Sequence, residues 1–217
     1  LDERDPYAHW VLARAHCWRH EHDQAIAELG TALTLNPSFA SAHFLLGWVL
    51  TYAGRPEEAL PHLDKALRLS PHDPFIMGIM GIRSVALMFM GRLEEALQWA
   101  RESARHPVAH FQSRAGLVSI LGRLNRINEA KAALDEIIRR RPDYSCALIE
   151  RTSPFKHQKD LEYYLDGLRN AGLPAQSLGM DAPNSGTTQR PIFVLQPTVP
   201  VGDPGRGWCC RPAILSR

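Results

Sequence analysis

Apolar residues recur along this chain at spacings of three and four, the period of a helix with one buried side. Across 40–53, Phe44, Trp48 and Tyr52 form one stripe and His43, Leu46 and Leu50 a neighbouring one. Across 57–69, Ala59, Leu63 and Ala66 share a face. Between the two runs stands Gly54-Arg55, where glycine tolerates the positive φ of a helix stop. The pattern therefore predicts a helical hairpin over 40–69. Asp5-Pro6 and Asp73-Pro74 read as helix N-caps followed by proline at the first helical position.

The hairpin is repeated. His20–Ile26, Gly54–Leu60, Gly91–Leu97 and Asn125–Lys131 align, and their alanines fall at 25, 59, 96 and 130, in steps of 34, 37 and 34. Prolines close the units at Pro37, Pro71 and Pro142, with Pro107 near the remaining slot. The two markers agree on the period and on a three-residue insertion in the third unit. Repeats of this size are helix pairs that bury their apolar sides by stacking on one another.

The residues match one family. In the order of its consensus, unit one offers His9, Leu12, Ala13 and His16, then Ala25, Leu29, Ala32 and Pro37; unit two offers His43, Leu46, Gly47 and Leu50, then Ala59, Leu63, Ala66 and Pro71. Unit four offers Arg114, Leu117, Val118 and Leu121, then Ala130, Leu134, Ile137 and Pro142. This pattern resembles the tetratricopeptide repeat, although Trp is absent from the first position. The resemblance implies an all-α, right-handed solenoid: four helix pairs over 1–142, capping helices over 143–174 and an irregular tail over 175–217. Small residues sit where helices approach closely, and a larger side chain at Gly47 or Ala59 would overpack the contact by roughly 1–3 kcal/mol.

A second likeness is coarser. Asp5-Pro6 through Asp73-Pro74, with Pro154-Phe155 and Asp160–Pro174, is similar to the C-terminal repeat region of large bacterial signalling proteins. There a cyclase-like or winged-helix domain precedes the repeats. No motif of either domain lies in these 217 residues, so the likeness implies a helical arm separated from its effector. The opening Leu1-Asp2-Glu3-Arg4-Asp5 is not a signal peptide and reads as the interior of a longer chain.

Two further helices are expected over Tyr144–Arg151 and Lys159–Ala171. The second carries Leu161, Tyr164, Leu165 and Leu168 on one face and suits a cap over the last repeat. Gly172 and Pro174 stop it. From Ala175 onward six prolines and five glycines interrupt every helix. No equivalent cap precedes residue 5, so the N-terminal end is expected to pair with a second copy or an upstream domain.

Charge narrows the function classes. Residues 1–174 hold 21 basic and 21 acidic side chains, and the tail holds 4 and 2, which accounts for the net +2. A neutral body lacks the concentrated positive field of a nucleic-acid binder, so no nucleic acid is expected. The longest apolar stretch, Phe75–Met90, is 16 residues with Arg83 in its middle, so no membrane span is expected either. Four cysteines (Cys17, Cys146, Cys209, Cys210) are too few for a disulfide scaffold. The compartment expected is the cytoplasm, with the outer side of a bacterial inner membrane, seen in some relatives, as the alternative.

In this repeat type the first helices line the concave side. Projection puts Tyr7, Trp10, Arg14 and Trp18 there from unit one, and Phe44, Trp48 and Tyr52 from unit two. Unit three adds Val85, Met88 and Phe89, and unit four Gln112, Ser119 and Arg123. An aromatic groove with a few cations suits a peptide or partner helix with apolar anchors; the competing reading makes part of the set core. The subclass that binds chaperone acidic tails carries Lys and Asn where this chain has Trp10, Arg14, Phe44 and Trp48, so such tails are not expected to bind.

Other constellations are weaker. His16 and His20 stand at i and i+4 and could share a metal, but no third ligand is fixed. Cys209-Cys210 lacks the ordered positive setting that activates a thiol. Arg139-Arg140-Arg141 reads as a helix C-terminus complementing the dipole, and Glu57, Glu58, Glu94 and Glu95 as the acidic starts of second helices. Gly202–Gly207 follows no strand and opens no helix. No nucleophile elbow, phosphate loop or dinucleotide fingerprint is present. The expectation is a non-catalytic interaction module without cofactor or metal. Against it stand a self-associating regulatory arm and a metal or thiol enzyme built on His16, His20 and the cysteines.

Overall fold

The computed structural model describes residues 3–73, 76–105 and 111–176, of which the Phe111 side chain is excepted. The tail beyond Gln176, Pro74 and Pro107 lie outside the described residues, and with them the readings made on Cys209-Cys210 and Gly202–Gly207. All regular structure among the described residues is helical. The first four hairpin partners are α1 (Pro6–Trp18), α2 (His22–Leu35), α3 (Ala40–Tyr52) and α4 (Pro56–Leu69). They are followed by α5 (Ile76–Phe89), α6 (Leu93–Arg105), α7 (Phe111–Arg123) and α8 (Ile127–Arg140). Two last helices, α9 (Cys146–Thr152) and α10 (Gln158–Asn170), lie close to the expected positions.

Each odd helix packs on the even helix after it, and each hairpin on the next, from α1 to α8. Asp5 caps α1 by accepting the Tyr7 amide at 2.9 Å, with Pro6 in the first turn. The apolar stripe of the second helices is fully enclosed: Ala25, Leu29 and Ala32, Ala59, Leu63 and Ala66, then Ala130, Leu134 and Ile137 are all at most 2% exposed. The small position of the first helices falls on Ala13, Gly47, Ser84 and Val118, all buried. That sequence of positions restates the 34, 37, 34 step and fixes the register of the third unit. At Gly47 a Cβ would meet Leu63 Cγ at 2.6 Å, so only glycine lets α3 and α4 close to this distance.

The reversal within each hairpin follows the same step. His20, Gly54, Gly91 and Asn125 have φ of 59, 78, 76 and 57°, the left-handed region. After each, an amide reaches back five residues: Glu21 to His16, Arg55 to Leu50, Arg92 to Leu87 and Arg126 to Leu121, at 2.9–3.0 Å. This is the Schellman stop, which satisfies carbonyls that the helix end leaves open. Units one and four use His and Asn where glycine is the relaxed choice.

The C-terminal helices do more than close the last repeat. α10 packs mainly against α7, with no contact of that extent to α8. An ordinary next repeat would lean on both. Instead Gly122 and Gly167 meet backbone to backbone, Ser119 Oγ donates to the Tyr164 carbonyl at 2.7 Å, and Arg123 donates to the Tyr163 carbonyl at 2.9 Å. Leu161, Leu165 and Leu168 are buried in the same core as α5–α8. The chain then turns back at Gly172, and the Cys146 and Ala147 amides donate to the carbonyls of Pro174 and Ala175 at 3.0 Å.

Candidate functional site

Ser119 and Arg123 are inner positions of α7, so α10 lies on the concave side. The segment before it, Ser153–His157, lies against the start of α2 and the C-terminal ends of α3 and α5. The Pro154 carbonyl accepts from His22 Nε2 at 2.7 Å, and the Lys156 amide donates to the Tyr52 carbonyl at 2.9 Å. Lys156 Nζ reaches Asp23 at 2.8 and 2.9 Å. One half of the inner side is thus filled by the chain itself.

In the filled half stand Tyr52, Met88, Phe89 and Arg123. Phe155 inserts between Tyr52, 4.9 Å away edge-on, and Phe89, 5.8 Å away edge-on. Tyr163 lies 5.9 Å from Phe89, and the Arg123 guanidinium sits 3.2 Å over the Tyr163 ring. Burial pushes the Tyr52 hydroxyl well above the usual phenol range. Met88 is fully enclosed, with the Ser119 hydroxyl 3.6 Å from its sulfur. The expectation that Met88 lines the groove is therefore corrected: α10 covers it and makes it core. Ser119 is buried for the same reason, and Val85 is buried beside Gly116 of α7.

In the other half stand Tyr7, Trp10, Arg14, Trp18, Phe44 and Trp48. Trp10 needs a correction too. It is only 8% exposed, packs on Phe39 at 6.2 Å and donates to the Ser41 carbonyl at 3.3 Å. It fills the junction between units one and two, a large ring at a site where two hairpins diverge. Arg14 lies over its face at 4.7 Å and over Trp18 at 5.8 Å, so Trp10 orients the cation from beneath. Trp18, Phe44 and Trp48 are half-buried, and Trp48 packs tilted against Tyr52, with ring centroids 4.9 Å apart. Tyr7 is 57% exposed at the rim, 5.3 Å from Trp10.

The alternative chemistries find little support. His16 Nδ1 is held by Glu21 at 2.7 Å, while His20 occupies the left-handed turn and faces His22. Among the described residues no three His, Cys, Asp or Glu side chains are grouped to hold a metal ion. Burial pushes the Cys17 thiol up to about 12, against the opposing charge of Arg14, and also raises Cys146. Neither is an activated nucleophile. Arg141 pairs with Asp143 at 2.8 Å beyond α8, and Arg140 with Glu136 at 3.0 Å.

Sequence reasoning missed Phe155, Lys156, His22 and Asp23. Pro154-Phe155 before an amphipathic helix was a visible signal, but the period of the repeats says nothing about a segment that leaves them.

Stacked helical hairpins of this kind define a helical repeat protein. Residues 11–74 match one family model of the tetratricopeptide repeat and residues 111–144 match another. The chain is 26% identical over 169 residues to anaphase-promoting complex subunit 7 of Homo sapiens, and equally to that of Mus musculus. That match takes in 75% of this chain but 28% of the relative, so the chain spans little more than a quarter of the curated relatives' length. Among solved structures, "YrrB: a TPR protein with an unusual peptide-binding site" superposes with a TM-score of 0.53 at 19% identity, covering 78% of this chain and 86% of that one. Pseudomonas aeruginosa PilF superposes at 0.57 with 21% identity, covering 77% and 76%. Both share the fold. No helix among the described residues is long and apolar enough to cross a membrane.

Proposed function

We propose that this chain is a non-catalytic docking module that takes a peptide or partner helix on the N-terminal half of its groove. One observation carries the reading: Arg14, Trp18, Phe44 and Trp48 stand half-buried on the inner side of two consecutive repeats, held in place by packed neighbours. Rigid aromatic and guanidinium groups bind without losing much side-chain freedom, and such groups dominate binding energy. That one fold neighbour is titled for its peptide-binding site, and that the curated relatives are subunits of a complex, supports an assembling role.

The test begins with peptides selected from a random library on the whole chain. Affinity should fall about tenfold or more in Trp18→Ala and in Trp48→Ala while circular dichroism is unchanged. Retained affinity in both folded variants refutes the groove.

A second reading has its own support. Val11 on α1 is 40% exposed, whereas the same repeat position in α3 and α5, Leu45 and Ile82, is partly buried against the core. With Tyr7 beside it, this side of α1 suits a second copy of the chain or an upstream domain, as a regulatory arm of a cyclase-like or transcription-regulating cytoplasmic protein requires. Light scattering decides the self-associating form; a strict monomer at high concentration refutes it. The full reading frame decides the other.

A further inference from the structure

We infer that the pocket shared by the first three repeats recognises an extended segment with an aromatic side chain followed by a lysine, and that Ser153–His157 is the chain's internal copy of that ligand. The inference goes beyond the docking reading above, because this pocket lies in the half of the groove that the chain itself fills. The segment is not helical. It is held by one inserted ring, two main-chain hydrogen bonds and one ion pair, the devices by which folded domains hold extended peptides. Phe155 enters between Tyr52 and Phe89, with Tyr164 5.6 Å away as a third wall. His22 and the Tyr52 carbonyl bond the main chain on either side of that ring, and Asp23 takes the ammonium.

The hold is separable from the fold. α10 is fastened to α7 through Leu165, Leu168 and the Gly122–Gly167 contact, none of which involves residues 153–157. The Lys156–Asp23 pair is exposed, where ion pairs contribute least. Tethering nonetheless gives the internal copy an effective concentration on the order of millimolar, so a partner in solution competes against it and binds correspondingly weakly until it is displaced.

The experiment uses a fluorescein-labelled peptide of residues 152–158 and the whole chain, read by anisotropy. Phe155→Ala/Lys156→Ala should bind it about tenfold more tightly than the unaltered chain does, and a peptide with alanine for its phenylalanine should not bind. A folded double variant that shows no gain overturns the inference. A readout that needs no variant is hydrogen exchange at the Lys156 amide. It should accelerate severalfold when about 1 mM unlabelled peptide is added to the unaltered chain; an unchanged rate overturns the inference even if the double variant does not fold. If this peptide fails while library-selected peptides still depend on Trp18 and Trp48, the docking reading stands and the internal-ligand inference falls.

Discussion

One substitution, glycine to alanine, should change stability in opposite directions at three places in this solenoid. Gly30 lies exposed within α2, and a Cβ there would meet nothing within 4 Å. Only the backbone term remains, so Gly30→Ala should stabilise by about 1 kcal/mol. At Gly47 the new methyl meets Leu63 Cγ and Cδ2 at 2.6 Å, and the Ala59 carbonyl at 3.3 Å. Leu63 has a flexible side chain but no free space, since it is fully buried. Overpacking of roughly 1–3 kcal/mol set against the helix gain of about 1 leaves a net loss of roughly 0–2 kcal/mol. At Gly122 the obstacle is backbone: the Gly167 carbonyl, with its carbon at 2.8 Å. No rotamer relieves that clash. α10 must lift, which stretches the Ser119 bond to the Tyr164 carbonyl and the Asn170 bond to Gly122. The loss should exceed the top of the ordinary range, about 3 kcal/mol before the helix gain. Urea unfolding followed by circular dichroism measures all three, and hydrogen exchange shows whether α10 loosens first. The reasoning is refuted if Gly122→Ala is as stable as Gly47→Ala, or if Gly30→Ala destabilises.

Acid should weaken the fold through His43 and His62, whose rings stack with Nδ1 atoms 2.9 Å apart while His43 Nε2 reaches the Pro37 carbonyl at 3.1 Å. Burial holds both below the ordinary 6.5, so the unfolded chain takes up more protons and stability falls as pH drops below 6.5. His9 works the other way: its bond to Glu28 raises it above 6.5, so its contribution is complete below 6.5 and is lost as pH rises through the raised value. His43→Gln should flatten the acid side of a plot of urea midpoint from about pH 5 to 7.5, and an unchanged slope counts against the pair. At the left-handed turns, His20→Gly should stabilise by up to about 1 kcal/mol while Gly91→Ala destabilises by about 1–2, read from melting temperatures. Arg123→Gln removes a charged hydrogen bond to Tyr163 and the guanidinium over its ring, so it should cost about 2 kcal/mol and raise exchange in α10.

The repeat was legible because it is written twice, in small residues and in turn residues. Ala25, Ala59, Ala96 and Ala130 mark buried helix contacts, and His20, Gly54, Gly91 and Asn125 mark chain reversal; the two sets share one period although different forces select them. The inner stripe was legible as a set of positions, because a helical face follows from spacing alone. Its exposure was not. Whether Met88 meets water depends on α10, and the apolar face of α10 (Leu161, Tyr164, Leu165, Leu168) suits the end of the stack as well as its inner side. What selects the inner side is a pair of glycines, Gly122 and Gly167, that let two backbones touch. A glycine pair 45 positions apart carries no periodic signature. Trp10 was misread for a related reason: an aromatic ring on the projected inner face can turn sideways into the joint between hairpins, and nothing in spacing distinguishes the two.

The same cap changes what the groove can be. A solenoid with an uncovered inner side can flex along its length, and a partner that bridges several repeats must hold that motion still. Here His22 and Asp23 of the first unit are tied to Pro154 and Lys156, while Arg123 of the last is tied to Tyr163. While the segment Ser153–His157 is seated, the curvature is set within the chain, and the repeats at the two ends cannot separate without breaking these contacts. Shortening the groove removes anchor area but spares the ordering cost that a longer, flexible one imposes on binding. On the docking reading proposed above, a trough with two or three aromatic anchors suits a short segment, the size of ligand that Ser153–His157 represents.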